Sequence, residues 1–425
     1  MWGTADATLM GTEIKGMGGK GVVMEGEGEM VMERVKILQV KTGLEVKSGT
    51  VMMKGGEIKG MGTGYGVIME GGTVTMMDKV GISGVGMGVD AKSGTLKMMG
   101  NSTIIFTGDY GVKVGSGVAS AILTDVKIRG MGKGYGVIME GGTVTMDGVW
   151  ISNVGMGVEV KSGTVMMKRG KIEFTSGDRG YGYGVKVGSG VESAILTDVK
   201  IRGMGKGYGV IMEGGTVEMD GVWIEGVSEG VEVKSGTVMM KRGKIEFTSG
   251  DRGYGYGVKV GSGVESAILT DVKIRGMGKG YGVIMEGGTV EMMGDSRITF
   301  AGGDRGNGNY GVGVGVSGGA VTMMGTRIVG TSGGTGTGVY ATGTGKMLMS
   351  GVWIEGGGKG VEVSGSGMLE MMGDSTIIFT GGDRGYGVGV EVSGGAVTMM
   401  GTKIVGSGKG KGMYGVQMTG DGTMV

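Results

Sequence analysis

The chain has 425 residues, 42 basic and 41 acidic side chains for a formal charge of +1, 109 glycines, and neither cysteine, histidine nor proline. The near-neutral balance excludes recruitment of nucleic acid or anionic membrane by a global field. The missing histidine removes the commonest metal ligand and general base, and glycine without proline or a three-residue period excludes collagen.

Apolar residues recur at fixed phase between the glycines, which argues against disorder. No run approaches the roughly 18 consecutive apolar residues of a membrane helix, so no membrane insertion by this segment is expected. The opening Met-Trp-Gly-Thr-Ala-Asp lacks the basic stretch and apolar run of a secretory signal, which leaves a cytosolic protein or a mature segment. Zero cysteine fits a secreted or bacterial surface protein that crosses membranes unfolded.

Along the chain, Thr50, Thr73, Thr95, Ala121, Thr143, Thr164, Ala194, Thr216, Thr237, Ala267 and Thr289 open similar strand-like segments, mostly 21 to 23 residues apart. A larger copy is superimposed: Val158 to Met219 recurs unchanged as Val231 to Met292, an offset of 73 residues. Such periods are the mark of a solenoid.

One period shows how. In Thr143 to Met146, Val149 to Ile151 and Gly157 to Val160, apolar and polar residues alternate, as in strands with one buried face. Val144, Met146, Val149, Ile151, Val158 and Val160 are expected to point inward. Thr145, Trp150 and Glu159 point outward, and glycines such as Gly141-Gly142 and Gly155 to Gly157 make the corners. The prediction is an all-β, right-handed parallel β-helix, one domain over 1–425, with about 22 residues and three short strands per turn and some 17 turns. The inward phase takes Met146, Met219 and Met292 as flexible core fillers, and Met166 and Met239 fall outward.

Stacking predicts outward columns. The second strand gives Lys127, Trp150, Glu173, Lys200, Trp223, Glu246 and Lys273, with Lys200 beside Trp223 as a cation–π pair. The third gives Ile138, Glu159, Lys186, Ile211, Glu232, Lys259 and Ile284, each Glu followed one turn later by a Lys. The chain stops in Gly422 to Val425, the opening of another strand, which reads as a fragment whose exposed end invites end-to-end self-association.

Candidate binding residues lie in the enlarged loops. Asp178, Arg179, Tyr181 and Tyr183 return as Asp251, Arg252, Tyr254 and Tyr256, and related loops carry Asp304, Arg305 and Tyr310, then Asp383, Arg384 and Tyr386. Tyr and Arg are favoured at the energetic centres of protein interfaces; a local Asp–Arg pair that merely holds the loop is the alternative. No catalytic residue, cofactor or metal site is expected. The carboxylates form regular ladders without a singular cleft, and Gly132 to Gly136 precedes no helix that would bind phosphate.

Three phrases carry a family likeness: Gly338-Val-Tyr-Ala-Thr-Gly-Thr-Gly345, Gly351-Val-Trp-Ile-Glu-Gly356 and Ser120-Ala-Ile-Leu-Thr-Asp-Val126. They resemble the passenger domains of Bartonella autotransporters, in the angiogenic factor and inducible autotransporter group. The resemblance implies a β-helical passenger without its signal peptide and C-terminal barrel, secreted or displayed on the bacterial surface as a virulence factor. It further implies action on host endothelial cells through a vascular endothelial growth factor receptor. The competing class is a non-enzymatic adhesin or structural spacer, an engineered repeat protein included.

Overall fold

The computed structural model describes residues 6–175, 181–249, 254–301, 311–331, 336–381, 386–408 and 412–425. Among them every regular element is a strand. Two compact units, Met1–Met204 and Gly205–Val425, divide the chain. Each is a parallel β-helix, and the turns number about 16, against the some 17 counted from the landmarks.

In the first unit one turn reads Thr143–Asp147, then Trp150–Val154, then Met156 onward in a strand that continues through Lys168 as the first strand of the next turn. Every strand pairs in parallel with its equivalent one turn away, as Val144 with Val165 and Ile151 with Ile172. All six residues expected inward in this turn are at most 2% exposed, and Met146, Met219 and Met292 are buried with them. Trp150 is exposed, and Thr145, Glu159, Met166 and Met239 are half-buried on the outer side.

The core rests on one repeated fit. The second strand contributes an isoleucine in turn after turn: Ile58, Ile82, Ile104, Ile128, Ile151 and Ile172 stack in the first unit. Ile224, Ile245, Ile274, Ile298, Ile328, Ile354 and Ile377 do the same in the second. Full burial stabilises each by about 1.5 to 3 kcal/mol. Facing them, the third strand offers a glycine. A Cβ on Gly136 would stand 2.3 Å from Ile151 Cγ2 and 2.7 Å from the carbonyl of Gly157. Gly157 repeats the arrangement over Ile172, at 2.4 Å. So Gly157, expected as a corner, is an extended residue kept small by the isoleucine beneath it. Gly142 is a true corner, with φ of 74°.

The outward columns are partly as expected. Glu159 sits between Ile138 and Lys186, and Glu232 between Ile211 and Lys259. The ammonium of Lys259 reaches Glu286 on the following turn, at 2.9 Å, instead of Glu232. The second-strand column is corrected: Trp150 faces Lys171, not Glu173, and Trp223 faces Lys244, not Glu246. The isoleucine stack fixes this register, which places the glutamates two residues further along the same outer face. Accordingly Lys171 Nζ lies 4.8 Å from the centre of the Trp150 ring, and Lys244 Nζ 4.3 Å from that of Trp223.

Candidate functional site

The enlarged loops leave the end of the second strand and rejoin at the third, and the structure supplies a base for them that periodicity alone did not reveal. All five phenylalanines of the chain lie at the end of a second strand just before a loop, Phe106, Phe174, Phe247 and Phe300 as its last residue and Phe379 as the last but one. Each is at most 2% exposed. The next turn makes room with a glycine, as Phe247 opposite Gly276, Phe300 opposite Gly330 and Phe379 opposite Gly406. A Cβ on Gly330 would come within 3.0 Å of the Phe300 ring. Turns without a loop carry Val85, Val154 or Val227 there. The signal was present in the sequence as a rare aromatic confined to one position.

Among the candidate loop residues, Tyr181, Tyr254 and Tyr386 are 42%, 46% and 57% exposed. Tyr386 opens the third strand of its turn, opposite Gly412, and Tyr181 and Tyr254 precede theirs, whereas Tyr183 and Tyr256 are in register with Met156 and Glu229. Burial first, then the neighbouring carboxylates Glu159 and Glu232 respectively, push both phenols above their ordinary pKa. These two rings are packed into the turn, whereas the other three are more exposed. Asp178, Arg179, Asp251, Arg252, Asp304, Arg305, Tyr310, Asp383 and Arg384 lie outside the described residues.

A second candidate lies on the outer face of the second strands in the first unit, where a groove of about 560 Å³ opens. Two outward columns form it. Thr103, Lys127 and Trp150 make one, and Ile105, Arg129 and Ser152 the other, in register across three turns. Glu173 and Arg202, paired across the next two strands, continue the second column. Its rim is braced: Asn153 Nδ2 donates to the carbonyl of Gly130 at 3.0 Å, and the Thr175 hydroxyl donates to that of Gly132 at 2.9 Å. Thr175 is also where the first full loop departs, so the groove borders the loop edge.

Glu173 is held from two sides. Lys171 Nζ is 2.8 Å from its carboxylate, and the indole Nε1 of Trp150 donates to it at 3.2 Å. The hydrogen bond from Lys171 is the main cause that lowers its pKa, with Trp150 adding to the effect against the cost of burial. In the second unit the same residue types are arranged differently. Trp353 Nε1 donates to Glu355, two residues on in its own strand, at 2.8 Å, and Arg327 from the preceding turn pairs with that carboxylate at 2.7 Å. Among the described residues no group of three His, Cys, Asp or Glu side chains is placed to hold a metal ion. No protein-family model, curated protein or solved structure matches this chain, so both candidate faces stand on their own geometry.

Proposed function

We propose that this chain is a non-enzymatic display scaffold, a passenger-type β-helix secreted or held at a bacterial surface, that engages a host cell-surface receptor protein through its loop edge. The observation that carries the proposal is the set of exposed tyrosines, Tyr181, Tyr254 and Tyr386, at the returning ends of loops that leave beside the buried Phe174, Phe247 and Phe379. Aromatic side chains with a polar tip supply large contact area at low entropic cost, the property favoured at interface centres. Repetition adds a gain in effective concentration wherever two copies engage together. The phrase likeness to Bartonella passengers supports a vascular endothelial growth factor receptor as the partner and a pro-angiogenic response as the outcome.

The experiment replaces residues 176–181 and 249–254 with the short Gly-Asp connection that follows Phe106, and checks the fold by circular dichroism. Added to endothelial cells, the parent chain is expected to raise receptor phosphorylation and the folded loop-replaced chain to lose that response. Equal responses from the two chains would eliminate the loop edge as the contact. No response from the parent would move the reading to an adhesin or spacer.

A further inference from the structure

The groove beside Trp150 has no part in that reading, and one sequence exception sets it apart. Three tryptophans sit in second strands with the pattern Trp-Ile-x, where x is Ser152, Glu225 and Glu355. Where x is Glu355, the carboxylate takes both the indole N–H and the preceding turn's cation, so the tryptophan and its arginine satisfy each other through one acid. Where x is Ser152, that acid is missing. Trp150 turns to Glu173 on the following turn, and Lys127 and Arg129 on the preceding turn are exposed, with no ion pair between either and any described residue.

The duplication sharpens the point. Within the 73-residue copy, Thr145, Ser152 and Met156 become Glu218, Glu225 and Glu229, so the second copy gains three carboxylates in a stretch flanked by identical sequence. The first copy is left electropositive and open; its serine is small enough to leave a depression between Arg129 and Glu173.

We infer that this groove is a binding site for an acidic saccharide, a pyranose chain bearing carboxylate or sulfate groups. Lys127 and Arg129 provide charge-assisted hydrogen bonds, the guanidinium in the two-pronged form suited to such anions. Lys171 covers one face of the Trp150 ring and is not part of the groove, so the lining side of the indole is available to pack against the C–H face of a sugar. Thr103 and Ser152 add hydroxyls for sugar oxygens, on a rim already fixed by Asn153 and Thr175. The open shape, with an apolar floor that includes Ile105 and Trp150 beneath the polar groups, suits a chain lying along the turns. One tryptophan and two free cations are too few for a nucleic-acid strand, which needs stacked aromatics and a continuous basic track.

The test is calorimetric titration of the intact chain, at physiological ionic strength, with a galacturonate hexamer, a size-defined heparin hexasaccharide, maltohexaose and a short single-stranded oligonucleotide. Binding of either acidic hexamer but not of maltohexaose is expected, and which one binds tells carboxylate from sulfate recognition. Ser152→Glu, which installs the residue the second copy already tolerates, and Arg129→Gln should each weaken it by about tenfold or more. Glu355→Gln should leave it unchanged. Failure of both acidic hexamers to bind, equal binding by Ser152→Glu, or preference for the oligonucleotide would overturn the inference.

Discussion

The turns around Trp150 and Trp353 share a core and differ in their outer chemistry. Inside, both stack isoleucine on isoleucine, with Ile151 or Ile354 beneath a glycine of the third strand. Outside, one has a serine and the other a glutamate two residues beyond the tryptophan. That single position decides whether the preceding turn's cation is consumed within the solenoid or left for a ligand. The repeat thus keeps its fold under strong steric constraint while its face is free to diverge, because alternate residues of a strand belong to different worlds.

The largest expected effect tests the shared part. Phe174 and Phe379 each lie buried at the end of the second strand one turn after their tryptophan, so Phe174→Ala and Phe379→Ala should both destabilise their local turns by about 3 to 5 kcal/mol. Hydrogen exchange of the flanking strands would show it; a large loss in only one region would mean that the cores are not equivalent. Gly136→Ala comes next, at about 1 to 3 kcal/mol, because its methyl would overlap Ile151. An unchanged unfolding midpoint for this variant would refute the isoleucine–glycine fit.

Acid should touch both faces alike. The carboxyl of Glu173 is held below its ordinary pKa chiefly by the hydrogen bond from Lys171. For Glu355 burial is the largest single influence and acts upward, but the hydrogen bonds from Trp353 and Arg327 together outweigh it and lower the pKa. For a depressed carboxylate, the stabilisation is present above the unfolded value of about 4.3 and is lost as pH falls through the folded value. Indole emission is therefore expected to stay constant from neutral pH to about 5 and to shift only below about 4. A transition near pH 6 would contradict the assigned partners.

The smallest effect concerns a corner. Arg169 has φ of 50°, a costly conformation for a residue that bears a Cβ, and makes a two-pronged bond to Asp147 at 2.9 and 2.6 Å. Arg169→Gly removes a largely exposed ion pair and relieves the backbone at once. The two contributions oppose, and the unfolding midpoint should hardly move. A midpoint loss as large as that of Gly136→Ala would give the ion pair a larger role than its exposure implies.

Much of the fold was legible because alternation and period constrain the same residues. The third-strand column from Ile138 to Lys186 follows from counting alone. The second-strand column did not, since a slip of two residues keeps every side chain on its proper face. Lys171 and Glu173 both point outward, and only the stacking of Ile151 on Ile172 decides which stands in register with Trp150. The loop tyrosines were visible as a repeated motif, yet their division into exposed Tyr181 and half-buried Tyr183 depends on where the third strand begins. The groove was hidden because its cause is a residue that is absent. Ser152 gains meaning only when Glu355 is seen to occupy Arg327.

The most direct test of that contrast needs no ligand. In variants that keep Trp150 or Trp353 as the sole tryptophan, with the others changed to phenylalanine, fluorescence is quenched with iodide and with caesium. Free cations beside Trp150 should make iodide the better quencher there, and Glu355 should shift the balance toward caesium at Trp353. Adding Ser152→Glu to the Trp150 variant should then move it to the Trp353 pattern. The same iodide-to-caesium ratio in all three proteins would contradict the account.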